Sequence, residues 1–380
     1  MPTLRTPHSD SLAAHRQRGS VFTTRWPALL FAAAIVTLVL VACRQVQQAG
    51  EPPVPPRSYT EVQALIGEVS IYERRIGFRE TENFRRFSDA RRSFPFCGNA
   101  PRLYLPYSYE DPAIKWYEVE TEDTCRSIDS EADVYFGHSE ALGEIKVAVT
   151  PAMLSASLAR LIYVVVHENC HDQFDLPYGI EEPLCNVIAY GSLPTFASEH
   201  YGLLRAEYYA VGLYANSAST FAHTTIRYYE ELATLYAAHT KLGAGSERNV
   251  LRQRADIFKR ASRALGWDKA EMNNVLLANA MTYSRHYPFV EEVFDALGRD
   301  VARMVAFFRA VDAARPKPEE VMRARGLTSA ESVDYLRAYE GSVVETARKL
   351  LPGRCPSIQD SSRKDRTTCT KPVGLSSVTW

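Results

Sequence analysis

The 380-residue sequence has no excess of charge of one sign, no long hydrophobic run and no evident internal repeat. Its 44 basic and 45 acidic residues give a net charge of -1, so nucleic acid is not an expected partner. The apolar stretch at residues 28–42 is too short to cross a bilayer comfortably. With 46% hydrophobic residues the chain is not disordered, and it can bury a sizeable core in one large domain or two closely packed ones.

This apolar stretch has the features of an export signal. Arginines precede it, and it ends in Leu40-Val41-Ala42-Cys43. That order is typical of a bacterial lipoprotein signal, in which cleavage leaves the cysteine as a lipidated N-terminus. We therefore predict a signal peptide over residues 1–42, lipidation of Cys43, and a lipid-anchored protein of the bacterial cell envelope that faces the periplasm. The outer membrane is favoured because Arg44 stands where inner-membrane retention uses Asp. The alternative is an ordinary N-terminal anchor helix with a chance cysteine.

An apolar run leads into the pattern His-Glu-x-x-His, and together they span Val164 to His171. Residues four apart lie on one face of an α-helix, so His167 and His171 can present two imidazoles to one metal ion. Glu168 lies about 100° round the helix, where it can reach a metal-bound water but is not a ligand. The alternative is a buried helix whose two histidines only satisfy hydrogen bonds.

A catalytic zinc site takes three protein ligands and leaves one position for water, so a further ligand is expected nearby. Residues 179–186 open a second helix soon after the motif. We predict Glu182 as the third ligand, because Asn186 then lies one turn further on and can accept a hydrogen bond from the non-ligating N–H of a ligand histidine. Glu181 is the alternative ligand; otherwise it complements the helix dipole.

Seven cysteines are present, and six remain once Cys43 is set aside. Cysteines of an exported chain can pair. Neighbours in the sequence favour three disulfides, of which the second would join the motif helix to the helix of the third ligand. A zinc ligand role for Cys170 is the less favoured alternative, because the residue is next to His171 on the same helix. The predicted pairs are Cys97–Cys125, Cys170–Cys185 and Cys355–Cys369.

Composition and periodicity divide the chain into five parts. We predict the signal peptide at 1–42, a proline-rich tether at 43–59, an α+β zinc-binding part at 60–193, a helical part at 194–351 and an irregular tail at 352–380. The predicted fold class is α+β and predominantly α-helical. A small mixed sheet is expected next to a zincin-type active-site helix, followed by a helical C-terminal part.

Local patterns predict the elements within these parts. A helix at 60–76, a second helix around Phe84 to Phe94 and a motif helix from Pro151 to about Phe174 are expected. Alternation of apolar and polar residues predicts short strands at 103–105, 114–120, 134–136 and 145–150. Helical segments are expected near 195–213, 217–241, 247–265, 268–285, 289–312 and 328–350.

His-Glu-x-x-His followed by Glu-x-x-x-Asn on the next helix resembles the gluzincin metallopeptidases. Over roughly residues 60–315 the chain also resembles a bacterial family of predicted lipoprotein aminopeptidases. The lipobox, the position of Glu182 and a later set of motifs carry this second resemblance. These motifs are Met272-Asn273-Asn274-Val275-Leu276, Tyr283, Pro288-Phe289 and Leu297-Gly298-Arg299-Asp300.

The resemblance implies one Zn2+ per chain, a peptide substrate and Tyr283 as the residue that stabilises the oxyanion. His286 and Tyr190 are the alternatives for this role. The sequence departs from the usual family motif at four positions, which bear on substrate preference. They are Asn169, Cys170, Asp172 and Glu181.

The expected chemistry is hydrolysis of a peptide bond without a covalent intermediate. Zinc lowers the pKa of its water toward about 7, and Glu168 as general base passes the proton to the leaving amine. A non-catalytic envelope lipoprotein that binds partners and keeps zinc as a structural clamp is the alternative. A third possibility is a metal-dependent hydrolase of another envelope bond, such as a peptidoglycan cross-link. Glu168 favours an enzyme, because a structural site has no use for a general base.

Overall fold

The computed structural model describes residues 56–89, 93–139, 146–268 and 272–351. The predicted signal peptide, the lipidation site Cys43, most of the tether, the Cys355–Cys369 pair and the tail lie outside these residues. In the described part of the chain, no helix is long and apolar enough to span a membrane.

Helices dominate the described chain, and the strands form a single small sheet, which confirms the predicted α+β, mainly helical fold class. In chain order the elements are α1 (Tyr59–Arg75), β1 (Phe94–Pro101), β2 (Lys115–Tyr117), α2 (Glu122–Ser127), β3 (Ala132–Ser139), α3 (Pro151–Leu154), α4 (Leu158–His171), α5 (Tyr178–His200), α6 (Ala206–Leu242), α7 (Glu247–Leu265), α8 (Asn274–Ser284), α9 (Tyr287–Ala296), α10 (Val301–Ala314), α11 (Pro318–Arg325) and α12 (Val333–Leu350).

Two of the observed helices, α4 and α6, differ from the predicted ones in where they begin or end, and short-range hydrogen bonds of serine side chains account for part of the difference. The segment predicted as one helix from Pro151 is split, because the hydroxyl of Ser157 accepts a hydrogen bond from the Arg160 amide and starts α4 afresh. The expected break near residue 216 is absent, and α6 continues to Leu242. Ser217 is tolerated inside this helix because its hydroxyl bonds back to the Tyr214 carbonyl. Gly243, with a positive φ, follows the last turn.

The three strands are ordered β2-β1-β3 and every pair is antiparallel, so the predicted mixed sheet is wrong in strand direction. β1 occupies the end of the region where a second helix was predicted. Gly98 stabilises this arrangement, since a Cβ there would lie 2.7 Å from the Trp116 ring on β2. Of the other predicted strands, 103–105 is not in the sheet and 145–150 contributes only an isolated parallel bridge from Val149 to Phe87. The sheet packs on α8.

The two predicted disulfides that fall within the described residues are confirmed. Cys97–Cys125 joins β1 to α2, and Cys170–Cys185 joins α4 to α5. The second bond ties together the two helices that carry the predicted metal ligands. This bond therefore restricts the movement of α4 relative to α5 next to the His-Glu-x-x-His motif.

α4 and α5 lie at the centre of the largest core and form an antiparallel hairpin covered by α1, α6, α8, α9, α10 and α12. α4 is buried on all sides, since every residue from Leu161 to Cys170 is buried and the full turn from Leu161 to Val164 is formed by large apolar and aromatic side chains. Polar residues on such a helix must find partners inside the protein. The motif residues therefore define a polar site within the hydrophobic core.

Glu73 on α1 is one of these buried polar partners. Both of its carboxylate oxygens lie 3.0 Å from the amide nitrogen of Asn169, the residue between the motif histidines. Burial raises the pKa of Glu73 from 4.5 to about 8. The folded protein therefore keeps a proton that the unfolded chain releases, and stability falls as pH rises between these two values.

Glu73→Gln is expected to remove this pH dependence. Between pH 5.5 and 7.5 the wild type should lose about 3 kcal/mol of unfolding free energy relative to the variant, at about 1.4 kcal/mol for each pH unit. Urea unfolding of both proteins at the two pH values measures the difference. Parallel losses in the two proteins would contradict a buried, protonated Glu73.

Candidate metal centre

Three side chains from the α4–α5 hairpin meet at one point. His167 and His171 lie one turn apart on α4, and Glu182 faces them from the first turns of α5. His167 Nε2 lies 3.0 Å from Glu182 Oε2 and 3.3 Å from His171 Nε2, and His171 Nε2 lies 3.7 Å from Glu182 Oε2. The three predicted ligands are therefore brought together.

These distances fit a zinc ion. With metal–ligand distances of about 2.0–2.1 Å, two ligand atoms of a tetrahedral site lie about 3.3 Å apart. Glu182 Oε2 is buried, and although His167 Nε2 lies 3.0 Å away the two atoms do not form a well-oriented hydrogen bond, as expected for two ligands of one cation. Burial acts to raise the pKa of Glu182, but the imidazoles of His167 and His171 outweigh it and hold that pKa below its usual value.

The outer nitrogen of His171 has a carboxylate partner. His171 Nδ1 donates to Glu181 Oε1 at 2.7 Å, and Glu181 Oε2 accepts from the Leu176 amide at 3.0 Å. A proton held at Nδ1 leaves the Nε2 lone pair free for a metal. The sequence-based view of Glu181 as a complement to the helix dipole is therefore incomplete, because its carboxylate orients His171, one of the predicted ligands.

His167 is oriented through a tyrosine that sequence reasoning missed. The hydroxyl of Tyr163 lies 3.4 Å from His167 Nδ1 and donates to Asn186 Oδ1, and the rings of Tyr163 and His167 are stacked. The prediction that Asn186 contacts a ligand histidine directly is wrong, because Tyr163 lies between them. Tyr163 precedes His167 by four residues, and this spacing alone would have predicted that the two side chains lie on the same helix face.

Glu168 is buried beside the ligands without a hydrogen bond to its Oε2. Burial raises the pKa of its carboxyl group, and the imidazoles of His167 and His171 act in the opposite direction. An unpartnered buried carboxylate is costly and is usually retained for a function. Its position beside the predicted ligands and its unbonded Oε2 match the general base that the motif predicts.

Two tyrosines flank the ligands. The Tyr283 ring centroid is 6.4 Å from that of His167, and burial raises the pKa of Tyr283 well above its usual value, so the phenol is a donor at neutral pH. Tyr178, which sequence reasoning missed, stacks on His171 and is hydrogen-bonded to Glu182. Tyr178 precedes Glu182 by four residues, and this spacing would have predicted that it lies on the same face of α5.

The two alternatives to Tyr283 have other contacts. Tyr190 lies one turn beyond Asn186 on α5, and its ring packs on Tyr163 with centroids 4.8 Å apart. His286 Nε2 is 2.7 Å from Glu340 Oε2 on α12. Among the three candidates, Tyr283 is the one whose ring lies against a ligand histidine.

Part of the border of the site is formed by the segment between β1 and β2 together with α12. Tyr107 donates to Glu340 Oε2 at 2.6 Å, and the Tyr109 ring packs on Tyr178 with centroids 5.4 Å apart. Glu340 lies so close to the start of α5 that a Cβ at Gly179 would be 2.2 Å from its Oε1. Beside it lies Glu110, whose pKa is raised to about 7 by partial burial of its carboxyl group and by the charges of Glu340 and Glu182.

Comparison of the chain with protein family models, with curated proteins and with solved structures finds no match in any of the three.

Glu181→Ala is expected to weaken zinc binding by about 10- to 100-fold without abolishing it, because loss of a partner behind a ligand histidine has effects of this size. Competition with a chromogenic chelator measures the dissociation constant. Glu199→Ala, which removes an exposed carboxylate from the other end of α5, is the control and should bind zinc like the wild type. Unchanged affinity in Glu181→Ala would contradict the orienting role.

Proposed function

We propose that the chain is a zinc-dependent peptidase whose zinc is held by His167, His171 and Glu182. The observation that carries this proposal is the meeting of two Nε2 atoms and one carboxylate oxygen at the spacing of a tetrahedral site. Beside them lies Glu168, whose buried Oε2 has no hydrogen-bond partner. Bound zinc would polarise the scissile carbonyl and lower the pKa of water in the site.

The chain's own residues supply the proton transfers. Glu168 takes a proton from the attacking water and passes it to the leaving amine. Glu181 and Tyr163 keep the protons of the two ligand histidines on Nδ1. Tyr283 donates a hydrogen bond to the oxygen on which negative charge develops, while the hydroxyl of Tyr178 donates to Glu182.

A structural zinc clamp is less well supported than an enzyme. Structural zinc sites usually close with a fourth protein ligand, often cysteine. In the part of the chain that the structure describes, the cluster contains three such residues, and the neighbouring Cys170 is in a disulfide. The free oxygen of Glu168 also favours catalysis.

The proposed location is the bacterial cell envelope, with the chain attached to the membrane through a lipid on Cys43 and facing the periplasm. Two disulfides support an oxidising compartment. The proposed substrate is a peptide, and aminopeptidase activity is the form that the sequence resemblance favours. A peptidoglycan cross-link is the alternative substrate.

Metal removal tests the proposal. The purified full-length chain should contain one zinc, lose hydrolysis on treatment with a chelator and regain it with one equivalent of zinc. A panel of free peptides, N-acetylated peptides and cross-linked peptidoglycan fragments identifies the bond that is cleaved. His167→Ala is the control that should neither retain the metal nor respond to it. A zinc-free protein, or a peptidase rate that the chelator leaves unchanged, would overturn the proposal.

A further inference from the structure

Large apolar side chains are exposed together at the turn between α5 and α6. We call Leu203, Leu204, Tyr209 and Leu213 the apolar tip; their exposed fractions are 60%, 91%, 57% and 74%. Leu203 and Leu204 lie in the turn itself. Tyr209 and Leu213 are four residues apart and therefore share one face of the first turns of α6.

The apolar tip is separate from the hydrophobic core. On the opposite side of the same turns of α6, Val211 is fully buried against the main hydrophobic cluster. The outward face is thus a separate apolar surface, of the kind that marks an interaction site. The neighbouring charges cancel, since Arg205 pairs with Glu207 at 3.6 Å. The surface is suited to an apolar partner rather than to an ionic one.

The described chain begins at the same end of the protein. The Arg57 amide donates to the Leu154 carbonyl at 2.9 Å, and the Arg57 guanidinium donates to the Ala156 carbonyl at 2.6 Å. The guanidinium of Arg160, four residues after Ala156, donates at 3.4 Å to the hydroxyl of Tyr214, which directly follows Leu213. The start of the described chain and the apolar tip therefore lie close together.

In the sequence, residues 43–55 connect this start to the apolar stretch 28–42. Thirteen extended residues reach at most about 45 Å. A chain attached to a bilayer through its N-terminal segment therefore keeps this end of the protein within that distance of the lipid. The tip is thus presented to the bilayer at high local concentration.

We propose that the apolar tip docks on the lipid bilayer to which the N-terminal segment attaches the protein. This inference rests on the proposed membrane attachment and does not depend on peptidase activity. Leucines enter the acyl boundary, and Tyr209 has the amphipathic ring that is enriched at the membrane interface. Because the tip is nearly uncharged, docking should not require anionic lipids.

Docking gives the metal centre an orientation. Glu182 precedes His200, at the tip end of α5, by 18 residues, which corresponds to about 27 Å of helix. The catalytic end of the hairpin then points away from the lipid.

Tryptophan fluorescence of the full-length chain in phosphatidylcholine vesicles tests this proposal. Leu204→Trp reports on the tip, and Glu230→Trp is the matched control at an exposed position further along α6. Lipids brominated in the acyl chain should quench the emission added by Leu204→Trp and leave that added by Glu230→Trp unchanged. Adding anionic lipid should not alter the result. Absence of quenching at residue 204, or equal quenching at both positions, would overturn the proposal.

A second copy of the chain is the other possible occupant, and sedimentation in detergent distinguishes it. The double variant Leu204→Glu/Leu213→Glu should have the same oligomeric state as the parent if the tip docks on lipid. Conversion of a dimer to a monomer by these substitutions would overturn lipid docking in favour of self-association. The fluorescence and sedimentation readouts do not involve hydrolysis, so failure of the proposed peptidase activity would be recognised separately.

Discussion

Glu168→Gln is expected to retain one zinc per chain and to lose peptide hydrolysis by at least about 10²- to 10⁴-fold, the usual contribution of a positioned acid or base. The substitution keeps the shape of the side chain and removes the ability to accept a proton. Metal binding should be preserved because the carboxylate of Glu168 lies beside the ligand set rather than in it. Metal analysis and the hydrolysis rate at saturating zinc separate these two effects.

Glu199→Gln is the control for a change of charge alone. This glutamate is on α5 but at its far end, exposed to solvent. The control should retain both zinc and activity. If Glu168→Gln hydrolyses peptides at the wild-type rate, Glu168 is not the general base. If Glu168→Gln also loses zinc, the separation between ligands and general base is wrong.

Glu182→Ala is expected to lose the metal, with an effect larger than the about 10- to 100-fold weakening expected for Glu181→Ala. Two imidazoles alone leave the ion held chiefly by water. Removal of Glu182 also takes away the carboxylate that contacts both histidines. Dialysis against zinc buffers, followed by metal analysis of both variants, ranks the two residues.

The opposite ranking would change the ligand assignment. If Glu181→Ala releases zinc while Glu182→Ala keeps it, the ligand is misassigned by one residue along α5. The disulfide Cys170–Cys185 is present in both variants, so the hairpin is held in the same way in each. A difference in zinc binding between the two variants therefore measures the contribution of each carboxylate.

The sequence by itself determined those features that depend on spacing within one element. A separation of four residues places His167 and His171 on one helix face, and the apolar residues before them require a buried helix. The short connection after the motif also placed the pair Glu181 and Glu182 at the start of the next helix, close enough for one of them to be the third ligand. The Cys170–Cys185 pair followed from the short connection between these two helices. In all of these cases helical periodicity or a short connection keeps the residues close.

Only the tertiary structure decided how the two helices meet. Whether Glu181 or Glu182 faces the imidazoles depends on the rotation of α5 about its axis, which is set by its packing with α4, α6, α8, α9, α10 and α12. That rotation puts Glu181 behind His171 and leaves Glu182 Oε2 near both rings. It also brings Asn186 to Tyr163 rather than to a histidine.

The sheet and the apolar tip were likewise decided by tertiary contacts. Strand direction depends on partners distant in the sequence, such as Gly98 and Trp116, and short strands carry little local pattern of their own. The residues of the tip have the same apolar character as those of the core. Leu204 is exposed and Leu193 buried because one lies in the turn beyond α5 and the other inside the hairpin, and sequence periodicity does not encode which surfaces a fold leaves uncovered.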